Sequence, residues 1–370
     1  MPRINTFDDW VDLFRQWQNE IGFDPKLMGD YKMSAQFGQL ETDEIEFGDY
    51  SGGRKWEKPS DIPEQRITDA LLNLIVYQGD TEFASVEQQR LLVNTAPNEH
   101  DMRSLVRVMC EEMRHGWQMS TLLIEHFGYS GRVEALKLLE RRSYENQRLL
   151  GSFNEDVENW LDFYVYTQFI DRDGKFQLKM LSRSAFAPLA RSMRPMLKEE
   201  AFHLGTGNDG LLRIAKCGKL PMRLVQKYFN KWVPTAYDLF GTDHSSSANW
   251  AYVWGLKGRF DEGENERPAD KGSLNEYART LYFREVQDLC DRLNKHVKAD
   301  EPQLYMPDLK FNRSIGKFAG KAYSVTGDEL STEAYEEYVK TVLPTDKDRV
   351  EVKSLMKDND WIAPKGVQAA

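Results

Sequence analysis

Four stretches of this sequence repeat apolar residues at helical spacing, and each stripe is interrupted by an acid. Along 99–127 the stripe runs Leu105, Val108, Met109, Glu112, His115, Gly116, Met119, Leu122 and Leu123. Along 184–205 it runs Leu189, Met193, Met196, Glu200 and His203. A third stripe, within 63–90, reads Ile67, Leu71, Leu74, Ile75, Gln78, Glu82, Ser85 and Val86. The fourth, within 155–182, reads Trp160, Phe163, Tyr164, Thr167, Asp171, Gly174 and Leu178. Side chains three positions apart leave a helix on the same face. The pairs Glu112/His115 and Glu200/His203 therefore each offer a carboxylate and an imidazole to one point.

An unpaired buried carboxylate is costly, and four facing one another repel unless they are protonated or neutralised. Two divalent cations resolve the conflict, because four carboxylates against two 2+ ions leave no net charge. One acid from each of two helices, with Glu-x-x-His from each of two others, is the ligand set of a dinuclear metal site in a helical bundle. Oxygen and imidazole ligands without thiolate suit iron or manganese, whereas zinc more often recruits cysteine. The candidate ligands are Glu82, Glu112, His115, Asp171, Glu200 and His203. Neighbouring Glu111 and Glu199 are turned about 100° away and are expected at the surface. Glu87 is expected to be exposed or salt-bridged.

The rest of the chain reads as all-α. Residues 6–21 predict a short helix capped by Thr6. Residues 22–62 are irregular and contain glycine, with room for one short strand. Helical periodicity then predicts helices near 63–90, 99–127, 131–149, 155–182, 184–205 and 220–240, and again near 273–297 and 331–342. This divides the chain into an N-terminal extension (1–62), a helical bundle (63–240) and a C-terminal extension (241–370). With 49 basic and 59 acidic residues, a net charge of −10 argues against general nucleic-acid or anionic-membrane binding. The longest apolar run is too short to span a bilayer, and MPRINTFDDW has no apolar signal region, so a cytoplasmic protein is expected. Cys110, Cys217 and Cys290 are too scattered for a disulfide framework or a thiolate cluster. GTGNDG, Gly205 to Gly210, follows a helix instead of a strand, so it reads as a helix C-cap and turn and not as a dinucleotide fingerprint. DRDG, Asp171 to Gly174, lacks the remaining ligands of a calcium loop.

The segments QGDTEFASVEQQR (Gln78 to Arg90), FIDRDGKFQL (Phe169 to Leu178), KEEAFH around Glu200 and GLKGRF (Gly255 to Phe260), with the Glu112/His115 segment, resemble one known family. It is the oxygenase component of benzoyl-CoA 2,3-epoxidase, among the bacterial multicomponent di-iron monooxygenases and related to the catalytic subunit of phenylacetyl-CoA epoxidase. The resemblance implies a ferritin-like four-helix bundle with additional helices and irregular N- and C-terminal extensions. It also implies two iron ions on the six residues the stripes select, and favours Asp171 over nearby Asp173. Gln78, one turn before Glu82, matches a position beside the di-iron site and is the candidate to touch substrate or oxygen. Relative to the family, the connection from His203 to LPMRLVQKYFN is compact.

The implied reaction inserts one atom of O2 into an aromatic acyl-CoA and releases the other as water. Each turnover needs two external electrons, and the sequence has neither a credible nicotinamide fingerprint nor a cysteine cluster for an iron–sulfur centre. A separate flavin or iron–sulfur reductase is therefore expected, with NADPH acting only through it. Lys257 and Arg259 are the candidate cations for the phosphates of the CoA moiety. The rings of Trp117, Phe163, Tyr164, Phe186 and Phe202 are candidates to line an aromatic channel. Three other readings compete: a related oxygenase for another acyl-CoA or aromatic acid, a ribonucleotide reductase small subunit, and an iron-storage cage. Met119 occupies the place where the second of these usually carries its radical tyrosine. The large extra segments would obstruct the third.

Overall fold

The structure is a computed structural model that describes residues 4–242, 245–262 and 274–366. Helix α1 (Phe7–Glu20) opens with a capping box, in which the Thr6 hydroxyl accepts from the Asp9 amide and the Asp9 carboxylate accepts from the Thr6 amide. The chain from 22 to 62 forms short turns. It contains no strand among the described residues, only isolated bridges such as Glu44 with Arg54 and Trp56 with Phe186. Four long helices follow the stripes: α2 (Gln65–Gln89), α3 (Glu99–His126), and, beyond the shorter α4 (Gly128–Glu140), α5 (Trp160–Leu181) and α6 (Ala187–Cys217). Asn98 and Asn159 cap α3 and α5, each accepting from the amide three residues on at 3.0 Å.

Helix α2 packs along α3 and α5 along α6, and contacts between α3 and α6 join the two pairs. This is a ferritin-like four-helix bundle, and the all-α architecture expected from the periodicity is the one observed. Helix α7 (Met222–Leu239) covers α5, and α8 (Ser246–Val253) follows it. Helix α9 (Glu276–Asn294) touches both α5 and α6, and α10 (Thr332–Val342) lies against α7. The predicted start of α9 at 273 lies outside the described residues. Among the described residues, two helices escaped the periodicity, α8 and α11 (Asp346–Leu355), because both are too short for the spacing to stand out. One hydrophobic core runs from Ile4 through the bundle to Ile362.

Two departures from expectation bear on the site. GTGNDG is not a turn: α6 runs through it and stops at Gly218, whose φ of 62° is left-handed. Glycine is there for close approach, since a Cβ at Gly210 would stand 2.1 Å from the Tyr164 ring and one at Gly207 2.8 Å from the Gln168 amide nitrogen. Removing those side chains lets α6 lie against α5. The second departure concerns the helix expected over 131–149, which ends at Glu140. The chain then turns through Ser143–Glu145 and Gly151–Asn154 because buried acids of α2 hold it there. Glu87, fully buried, accepts from the Ser143 amide at 2.7 Å and pairs with Arg148 at 2.8 Å. It is salt-bridged but not exposed.

Candidate metal centre

The bundle brings all six candidate ligands to its interior, each with 6% exposure or less. Their distances resolve two positions. His115 Nδ1 lies 3.2 Å from Glu82 Oε2, 3.9 Å from Glu112 Oε2 and 3.7 Å from Glu200 Oε1. His203 Nδ1 lies 3.5 Å from Glu112 Oε1, 3.5 Å from Glu200 Oε2 and 4.0 Å from Asp171 Oδ2. Glu112 and Glu200 thus turn one oxygen toward each imidazole, while Glu82 serves only the first position and Asp171 only the second.

The unmet chemistry of this cluster fits a pair of cations. Asp171 Oδ2, Glu200 Oε2 and His203 Nδ1 are buried without a hydrogen-bond partner, a costly condition for polar atoms. Burial holds the Glu112 carboxyl well above the usual carboxylate range, and the Glu82 charge adds to the effect. Asp171 is raised in the same way, by burial and by Glu200. Burial also works against ionised Glu82, but the charge of His115 and hydrogen bonds from His115, Glu112 and Gln78 bring it down to about 2. Burial disfavours both imidazolium ions, yet the surrounding carboxylates, chiefly Glu82 for His115 and Glu200 for His203, raise both. Without metal, the cluster is therefore a proton store. Coordination requires these groups deprotonated, so loading iron(II) anaerobically should release protons, and affinity should fall as the solution is acidified. An indicator dye followed through an iron titration at successive pH values reads both effects. Loading with no proton release, at an affinity independent of pH, would contradict the assignment.

The residues expected at the surface turn out to hold the imidazoles. Glu111 is 3% exposed, and its Oε2 lies 3.1 Å from His203 Nε2. Glu199 Oε2 lies 2.8 Å from His115 Nε2. The arrangement is crossed: an acid of α3 orients the histidine of α6, and an acid of α6 orients the histidine of α3. Each acid is held in turn by an arginine of α3, Arg107 on Glu111 at 2.8 Å and Arg114 on Glu199 through paired contacts. A helical wheel assigns one inward face to each helix. In a bundle α3 meets both α2 and α6, so a residue turned away from the ligand face still meets protein. Such partners fix ring orientation and raise the basicity of the ligating nitrogen. We expect Glu199→Gln to weaken iron at the His115 position, and Glu111→Gln at the His203 position, by about 10–100-fold. Iron titrations resolving the two steps would reveal this, and unchanged affinity in both variants would make these acids structural only.

On the carboxylate side the centre opens into a cavity of about 160 Å³. Glu82, Glu112, Asp171 and Glu200 line it, and neither histidine does. Its other walls are largely apolar: Leu74 and the half-exposed Tyr77 of α2, Leu150 and Phe153 from the turns after α4, Leu178 of α5 and Leu239 of α7. Gln78 lies on this wall and donates to Glu82 Oε1 at 2.5 Å. Lys257 also faces the cavity and donates to Gln177 Oε1 at 2.6 Å. Burial depresses its amine, against the pull of Asp173. Asp173 itself, which accepts from Gln177 at 3.0 Å, is pushed up to about 7 by burial. Arg259 does not reach the cavity; its guanidinium is engaged by Glu262 at 3.4 Å and Asp261 at 3.7 Å.

The rings suggested for a channel pack elsewhere. Trp117 lies edge-on to Phe7, Trp10 and Phe14. Phe163 and Tyr164 pack with Trp160, Phe186 meets His126 and Phe127, and Phe202 lies beneath the Arg107 guanidinium. The cavity takes its rings from Tyr77, Phe153 and Tyr166 instead, which no helical stripe singles out.

Residues 46–259 match the profile of the phenylacetic acid catabolic protein family. Benzoyl-CoA oxygenase component B of Aromatoleum evansii is 38% identical, over 97% of this chain and 91% of its own length. One subunit of the 1,2-phenylacetyl-CoA epoxidase of Escherichia coli (strain K12) is 23% identical, over 56% of this chain and 66% of its own length. With the profile spanning more than half of the chain and one relative aligned along nearly all of it, the protein belongs to the phenylacetic acid catabolic protein family.

Proposed function

We propose that this protein is the oxygenase component of a di-iron monooxygenase that epoxidises the aromatic ring of an acyl-CoA thioester such as benzoyl-CoA. The observation that carries the reading is the two-position cluster of carboxylate and imidazole ligands opening on an apolar cavity. Glu82, His115, Glu112 and Glu200 would hold one iron, and Asp171, His203, Glu112 and Glu200 the other. When bound, such a pair supplies electrons to dioxygen and delivers one oxygen atom to the substrate.

The residues around it do the rest. Glu111 and Glu199 keep the imidazoles oriented, and the buried carboxylates keep the metal charge neutralised. The leucines and Phe153 exclude bulk water from the reacting face. Gln78, bonded to Glu82, keeps that carboxylate turned toward His115 and presents its amide to the cavity. The electrons come from a separate reductase, a reading supported by the word component in the name of the 38% identical relative. That relative's name and that of the epoxidase favour an aromatic acyl-CoA over a free acid.

The test is a single turnover. The iron-loaded protein is chemically reduced and mixed with labelled dioxygen and, separately, benzoyl-CoA, phenylacetyl-CoA, other acyl-CoAs and free aromatic acids. One labelled oxygen in one thioester establishes the reaction and its substrate. Oxygen consumption with every thioester unchanged would discard the acyl-CoA reading.

A further inference from the structure

Among the polar residues of the cavity wall that do not face the metal site, Asp173, Gln177 and Lys257 form a hydrogen-bonded cluster that nothing in the proposed oxygen chemistry uses. Gln177 bridges the cluster: its amide nitrogen donates to Asp173 Oδ1 at 3.0 Å, and its oxygen accepts from Lys257 Nζ at 2.6 Å. All three residues line the cavity. A lysine ammonium has three donors. Gln177 takes one, and the other two have no partner among the described residues. Lys257 is partly exposed, so water can meet them while the cavity is open, and a donor stripped of that water without gaining an acceptor is expensive. A ligand that fills the cavity must supply that acceptor.

We propose that Lys257, steadied by Gln177, binds the thioester carbonyl oxygen of the substrate and so fixes which edge of the ring faces the metal centre. This rests on the acyl-CoA reading above. Three observations favour a carbonyl over the phosphates that the sequence suggested for Lys257. The first is charge. A diphosphate here would face one ammonium and also the Asp173 carboxylate behind the same glutamine, whereas a neutral carbonyl asks for one hydrogen bond and buries no added charge.

The second is distance. Asp171, Gly174 and Gln177 follow one another at three-residue steps on the cavity wall of α5, which spaces Gln177 about 9 Å along the helix from the candidate ligand Asp171. That interval leaves room for an aromatic ring attached directly to the carbonyl carbon, with the edge beside the carbonyl-bearing carbon turned toward the carboxylates. The third is space. Gly174 sits midway, and even a Cβ there would come no closer than 3.9 Å to Glu200 Oε2, so this part of the wall is free for a flat ring.

The test uses iron-loaded, oxidised protein without reductant, so that binding is read apart from turnover. Calorimetric dissociation constants are measured for benzoyl-CoA and for free CoA, with wild type, Lys257→Met and Lys257→Gln. Iron content and circular dichroism identify which variants are folded and loaded, and the glutamine variant, which keeps a polar donor, stands in if the methionine one is not. Losing a hydrogen bond to a charged donor predicts about a tenfold weaker benzoyl-CoA complex for Lys257→Met, with an intermediate loss for Lys257→Gln. Affinity for free CoA should be unchanged. In single turnovers, the labelled oxygen should spread over more ring positions in the variants than in wild type. An equal loss of affinity for free CoA and benzoyl-CoA would assign Lys257 to the phosphates and overturn the proposal. Unchanged benzoyl-CoA affinity in both variants would overturn it as well. If the wild type binds no acyl-CoA, the substrate class itself falls and this proposal with it.

Discussion

Glu112→Ala is expected to purify without iron at either position and without oxygenase activity, even after anaerobic reconstitution. Glu112 belongs to both candidate groups of metal-holding residues, with one oxygen 3.9 Å from His115 Nδ1 and the other 3.5 Å from His203 Nδ1. Its removal takes a ligand from each position at once and leaves three carboxylates against two 2+ ions. Asp171→Ala provides the contrast, because Asp171 approaches only the His203 position; it should retain one iron more firmly than the other. The metal-free proteins should behave in the opposite sense. Glu112 is a crowded acid whose carboxyl is raised by burial and by the Glu82 charge, so at neutral pH folding without metal must protonate it, a cost its loss removes and which offsets the hydrogen bond it makes with Glu82. Metal-free Glu112→Ala should melt no lower than metal-free wild type. Elemental analysis and paired melting curves measure both effects. Two irons per chain in Glu112→Ala would strike this residue from the ligand set.

The largest stability effect should come from Arg148→Ala, a residue outside the ligand set. Arg148 has no exposed side-chain surface and pairs with Asp80 at 3.2 Å and Glu87 at 2.8 Å, both essentially buried. The acids also collect backbone: Leu149 donates to Asp80 at 2.7 Å, Ser143 donates to Glu87 at 2.7 Å, and the Trp17 indole reaches Glu87 at 2.9 Å. The cluster ties α1, α2 and the turns after α4 together, and those turns carry Leu150 and Phe153 to the cavity wall. Truncating the arginine leaves Asp80 with Arg141 at 3.3 Å and Glu87 with only the distant Arg142 at 3.9 Å, for which a loss of about 3 kcal/mol is expected. Chemical denaturation of the metal-free protein reads the loss directly. An unfolding midpoint equal to wild type would mean that the acids are relieved without Arg148.

The two variants separate what was legible in the sequence from what was not. The spacing of apolar residues is a property of each helix alone, so it placed Glu82, Glu112, Asp171 and Glu200, with His115 and His203, on inward faces. The same periodicity located the four long helices to within a few residues, except that α6 continues through GTGNDG. That exception shows the limit. Glycines that look like a stop become a close-packing surface only when Tyr164 and Gln168 of α5 are present to fill the space.

Glu111 and Glu199 fail as surface residues for the same reason, since a position about 100° from the ligand face is exposed on a lone helix and enclosed when a second neighbour covers it. Glu87 meets Arg148 and Trp17 only after the chain has folded back across α2. The sequence by itself determined which side chains share the apolar stripe of each helix and what charge those stripe acids must have neutralised. The tertiary structure alone decided what they meet there: the crossed acids behind the histidines, the lysine in the cavity and the arginine under its wall. Those contacts join residues far apart in the chain, and no local period encodes how one helix is set against another.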